Sequence, residues 1–102
     1  MITVHISECY DSCDIKVEGH AGYAGVGQDI ICSAVSSLCY ALGETLYRHA
    51  ERGKIEGFNC DYTDGFVLSF RGENEASLGA LEMFKTGIEM ICEDYPENIE
   101  II

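Results

Sequence analysis

The chain contains no tryptophan, a single proline, and only six basic residues against eighteen acidic ones. Each shortage excludes something. With one proline and 47% hydrophobic residues there is no Pro-rich linker and no low-complexity segment, so the composition is that of a folded globular protein. The formal net charge of −12 removes the basic patches that gripping a nucleic-acid backbone requires, so no direct nucleic-acid partner is expected. The same charge suits a basic protein partner, because a negative field attracts a cationic segment. Met1 leads directly into Ile2, Val4 and Ile6 without a basic n-region, an apolar h-region or a cleavage site. No apolar run approaches the length that spans a bilayer, so the expectation is a cytoplasmic protein without a membrane partner.

The six cysteines lack a C-x-x-C pair. Cys9 and Cys13 have C-x3-C spacing and no second such pair follows, which argues against a structural zinc site. Six thiols beside a sizeable core and no secretory signal read as reduced cysteines rather than a disulfide framework. Neither a metal nor a cofactor is expected. At 102 residues without an internal repeat, residues 1–102 form one domain, large enough to bury roughly two thirds of the surface that its unfolded chain exposes.

In chain order, residues 2–8 alternate apolar and polar, a strand covered on one face. Tyr10-Asp11-Ser12 turns the chain, and Ile15 and Val17 alternate with Lys16 and Glu18 in a second strand ending at Gly19 and His20. Asp29 can cap a helix from about Ile30 to His49, whose apolar positions Ile31, Val35, Leu38, Leu42 and Leu46 recur at spacings of three and four. Arg48, His49 and Arg52 at its end suit the negative pole of the helix dipole, which explains His49 without catalysis. Residues 55–62 and 66–71 form a second hairpin around Thr63-Asp64-Gly65. Asn74 can cap a second helix with Leu78, Leu81, Phe84, Ile88, Ile91 and Tyr95 in one stripe, and residues 98–102 make a last short strand. The order β-β-α-β-β-α-β predicts an α+β fold, with a mainly antiparallel sheet and both helices packed on one of its faces.

Chemistry concentrates between Gly19 and Leu38. His20 stands at a strand end and a loop with Gly22, Tyr23, Gly25 and Gly27 follows, neither in G-x-G-x-x-G order nor followed by a P-loop lysine. Such glycines leave a loop mobile, or let a substrate backbone come close, and make this segment a candidate substrate gate with Tyr23 a candidate lining residue. With Asp29 as N-cap, Cys32 falls at the third helical position, where free N–H groups and the positive end of the dipole favour a thiolate. A Glu or Gln of a capping box is the usual occupant there, so a cysteine is not the default choice for stability. Ser36 lies one turn further on the same face, within reach of the sulfur.

One histidine and one cysteine alone suit a buried structural thiol better than a catalytic one. The whole string says more. It resembles the ribosomal-processing cysteine protease family Prp, whose motif runs Gly-His-Ala, a glycine-containing variable loop, then Gly-x-Asp-Ile-Val-Cys-Ala-Ala-x-Ser. Gly19, His20 and Ala21 match the first part and Gly27, Asp29, Ile30, Cys32, Ala34 and Ser36 the second, with Ile31 in place of the valine and Ser33 in place of an alanine. Chain length and element order also fit that family from end to end. The resemblance implies a homodimeric cysteine endopeptidase that removes the N-terminal extension of a basic large-subunit ribosomal protein, with bulky apolar residues before the cut and basic ones after it. By the same resemblance Cys32 is the nucleophile and His20 its partner.

On that reading the chemistry is acyl transfer, with backbone N–H groups at the helix start available to an oxyanion. Asp29 is either the helix cap or the group that orients His20. One rival is a non-catalytic acidic module that binds a basic ribosomal or ribosome-assembly protein, with Cys32 merely buried. A thiol redox protein is another, disfavoured by the missing C-x-x-C and by the two helical turns between Cys32 and Cys39.

Overall fold

The computed structural model describes residues 1–22 and 29–102. Its elements are β1 (Ile2–Glu8), β2 (Ser12–Gly19), α1 (Ile30–Glu51), β3 (Glu56–Asp61), β4 (Phe66–Arg71), α2 (Glu75–Asp94) and β5 (Ile99–Ile101), in the order that the patterning predicts. The sheet runs β3-β4-β2-β1-β5. Only the β1–β5 pairing is parallel, with Ile2 opposite Ile99, and the chain reaches β5 by carrying α2 across from β4.

Strand register follows from burial. Val4 lies opposite Val17 and Ile6 opposite Ile15, while Ile15 lies opposite Leu68 and Val17 opposite Phe66. A slip of one residue would turn every one of these side chains to the other face, so the apolar alternation fixes the pairing. Against that inward face α1 lays Ile31, Val35, Cys39, Leu42 and Leu46, and α2 lays Leu81, Phe84 and Ile88. Each fully buried Leu, Ile or Phe contributes about 1.5–3 kcal/mol relative to exposure. The opposite face, with His5, Lys16, Glu18 and Arg71, is polar and exposed or half-buried.

Three expectations change. The α2 stripe does not include Leu78, which is 45% exposed; Ser77 is buried in its stead. Its hydroxyl lies 2.7 Å from His49 Nδ1 and donates to Asn74 Oδ1 at 3.3 Å, so a polar residue enters the core because both partners travel with it. His49 is accordingly a tie between the end of α1 and the start of α2, beyond its fit to the dipole. Finally, α1 is long and apolar enough by length and composition to cross a membrane, with a mean hydropathy of 1.3, contrary to the expectation that no run approached that length. Its apolar stripe is instead taken up by the sheet.

Candidate active site

His20 follows the last residue of β2, and the motif glycine before it has a physical reason. Gly19 has φ +94°, and a Cβ there would collide with the Met1 carbonyl oxygen where β1 begins. Any other residue would be strained and would push the β1–β2 pair apart just where His20 is carried.

Cys32 is placed by the cap. Asp29 is 8% exposed, sits at the N-cap with extended φ and ψ, and its Oδ1 accepts from the N–H groups of Ile31 and Cys32, each at 3.0 Å. The Asp29 carbonyl takes the N–H of Ser33 at 3.1 Å. Three N–H groups of the first turn are thereby committed to Asp29 and are not free for a substrate oxygen, contrary to the expectation that the helix start offers them to an oxyanion. The Cys32 sulfur accepts the N–H of Ala21 at 3.4 Å, a contact between the residue after His20 and the first turn of α1. Among the described residues Ser36 makes no hydrogen bond to that sulfur, although both line one cavity.

That cavity has a volume of about 300 Å³. His20, Cys32 and Ser36 border it together with Glu18 and Gly19, and Val35, Cys39, Tyr40, Tyr62 and Phe66 make it largely apolar. Tyr62 stacks at a tilt between Tyr40 and Phe66, with ring centroids 5.0 and 5.5 Å away. Burial raises the Tyr62 phenol above its usual range, helped by its hydrogen bond with Cys60 and by Cys60 and Cys39 nearby. Sequence reasoning missed this aromatic wall. Tyr62 lies just after β3 and Tyr40 on the exposed side of α1, and nothing in either position signals that the chain brings them beside Cys32.

The other thiols differ from Cys32 in their surroundings. Burial pushes Cys39 up to about 12 and Cys13 up to about 11, the latter helped by Glu8 and Asp14, so both stay protonated at neutral pH. Cys92 is raised by burial and by Glu89. All six cysteines are free. Among the described residues no group of three or more His, Cys, Asp or Glu comes together as a metal site. Of the loop residues singled out from the sequence, Gly22 is exposed with φ +70°, and Tyr23, Gly25 and Gly27 lie outside the described residues.

The family model of the cysteine protease Prp matches residues 1–100 of this chain. The chain belongs to the Prp cysteine protease family. Solved structures of similar shape include the essential ribosomal processing protease Prp from S. aureus with a covalently linked product peptide, 23% identical over 99% of this chain and 97% of that one, TM-score 0.73. The same S. aureus protease with a substrate peptide is 22% identical over 100% of this chain and 98% of that one, TM-score 0.69. The Streptococcus mutans protein SMU.848 is 26% identical over 99% of this chain and 91% of that one, TM-score 0.67. Among curated proteins none matches the chain. Membership of the Prp family makes the chain a cysteine protease, and its fold is shared with the S. aureus enzyme over nearly the whole length of both.

Proposed function

We propose that this protein is a cytoplasmic endopeptidase that removes the N-terminal extension of a basic large-subunit ribosomal protein, with Cys32 as nucleophile and His20 as general acid and base. The observation that carries the reading is the meeting of these two residues at one cavity, with Cys32 in the first turn of α1. The ribosomal substrate is inferred from the motif and from the S. aureus relative, which is a ribosomal processing protease.

In the proposed reaction the Cys32 thiolate attacks the scissile carbonyl carbon and forms a C–S bond. As the tetrahedral intermediate collapses, the C–N bond breaks and the His20 imidazolium gives its proton to the leaving amine. Water then attacks the thioester carbon while neutral His20 takes its proton. The C–S bond breaks, releasing the new carboxylate and restoring the thiolate–imidazolium pair. The apolar side of the cavity, from Val35 to Tyr62 and Phe66, suits a bulky apolar residue before the cut, and the net charge of −12 suits a cationic stretch after it. Asp29 acts in this scheme as the cap that fixes Cys32. A homodimer is proposed on the family resemblance.

The test is mass analysis of products after incubation with the full-length precursor of such a ribosomal protein. A single cut near the precursor's N-terminus, lost in Cys32→Ala and kept in Cys9→Ala and Cys92→Ala, is the expected result. Binding without cleavage by the wild type favours the acidic-module reading, and full cleavage by folded Cys32→Ala ends the assignment of the nucleophile.

A further inference from the structure

The donor that meets the Cys32 sulfur is itself held from the far end of the chain. Ala21 is buried, its N–H points at Cys32 Sγ at 3.4 Å, and its carbonyl accepts from Asn98 Nδ2 at 2.8 Å. Asn98 in turn is fixed at both of its backbone groups. Its N–H donates to the Tyr95 carbonyl at 3.0 Å, at the end of α2, and its own carbonyl accepts the Ile2 N–H at 2.9 Å, at the start of β1. The side-chain amide therefore reaches Ala21 from a frame made by the end of α2 and the start of β1. It does so at the point where the chain leaves His20.

We propose that Asn98 is a positioning residue of the active site, holding Ala21 so that the Ala21 N–H stays aimed at the Cys32 sulfur. The inference rests on the reading of Cys32 as nucleophile, but it reaches a residue that lies outside both the motif and the cavity lining. A hydrogen bond to a charged acceptor is roughly twice as strong as one to a neutral acceptor, so this N–H favours thiolate over thiol. Its direction depends on how Ala21 is held, by packing in the core and by the bond that its carbonyl accepts from Asn98. Among the described residues Asn98 Nδ2 is the polar tie to the Ala21 carbonyl. Its orientation is set by chemistry: a side-chain oxygen in place of Nδ2 would face the Ala21 carbonyl and repel it.

The test compares wild type with Asn98→Ala, Asn98→Asp and Asn98→Ser. For each we would measure peptide cleavage, and the rate of iodoacetamide labelling of Cys32 relative to exposed Cys9, as a function of pH. Removing the donor should lower kcat about tenfold in Asn98→Ala with KM within about twofold, because Asn98 does not border the cavity. The Cys32-to-Cys9 labelling ratio at neutral pH should fall several-fold, and its rise should move to higher pH. Asn98→Asp, the same shape with an oxygen facing an oxygen, should be the worst of the three. A residue that only stabilised the fold would act the other way on labelling, since local loosening exposes Cys32 and speeds its reaction. Thermal unfolding shows which variants are folded at the assay temperature. Asn98→Ser keeps both backbone hydrogen bonds and serves if a larger change prevents folding. Unchanged labelling ratio and kcat in any folded variant would overturn the proposal. If Cys32→Ala in the wild-type background still cleaves, the nucleophile assignment fails separately, and the labelling ratio still decides whether Asn98 acts on the sulfur.

Discussion

Replacing Asp29 separates its two possible roles, because the cap and the orientation of a catalytic histidine make different demands. As a cap, Asp29 Oδ1 accepts two N–H groups at 3.0 Å in a buried setting, so Asp29→Ala leaves two donors of the first turn without that partner. Loss of an N-cap acceptor costs about 0.5–2 kcal/mol, and burial with two bonds places this one in the upper half, about 1–2 kcal/mol. For a domain of this size that lowers Tm by about 5–15 °C. Asn and Ser carry an acceptor at the same place and rank with Asp as caps, so Asp29→Asn and Asp29→Ser should recover most of the loss, short of a few tenths of a kcal/mol from the missing charge at the helix start. Urea unfolding of the four proteins gives the energies, and the cleavage rate of the same samples gives the catalytic consequence. If the cap is the whole role, activity follows stability, and Asp29→Asn is nearly as active as wild type. An Asp29→Ala protein as stable as wild type would refute the cap argument. A stable Asp29→Asn protein with cleavage reduced a hundredfold or more would show that the carboxylate serves chemistry directly.

The buried thiol of Cys39 makes stability fall at high pH. Its folded value lies near 12 against an ordinary 9.0, so the folded state holds the proton longer than the unfolded one. The contribution is present below pH 9 and is lost as pH rises toward 12; urea midpoints from pH 7 to 11 should fall less in Cys39→Ala than in wild type. Gly43→Ala should destabilise the protein although alanine favours a helix by about 1 kcal/mol, because the added methyl would collide with the Tyr62 hydroxyl. Adding Tyr62→Phe removes that hydroxyl and should restore much of the loss, which a double-mutant cycle in urea measures. Raising salt from 20 to 300 mM (roughly a fourfold shorter screening length) should lower kcat/KM on a basic precursor and leave kcat nearly constant. A flat profile would make the net charge of −12 a matter of solubility alone.

The order of elements, the strand faces and the start of α1 were legible in the sequence because they depend on local periodicity and capping. Ile2, Val4, Ile15 and Val17 alternate whatever they pack against, and Asp29 caps α1 through residues two and three places away. That His20 and Cys32 border one cavity follows from the same local signals, which put one at the end of β2 and the other at the start of α1. What only the tertiary structure decided involves partners brought from elsewhere. Ser77 displaces Leu78 from the core because His49 arrives opposite it, and no periodicity within α2 contains that information. Tyr40 and Tyr62 meet beside Cys32 because α1 packs next to the β3–β4 turn. Asn98 reaches Ala21 across 77 positions because β5 pairs with β1 at Ile2, the residue that lies opposite Gly19 at the end of β2. A hydrogen bond that closes so long a loop leaves no local trace, because each end has an ordinary sequence of its own and the pairing exists only once the sheet has formed.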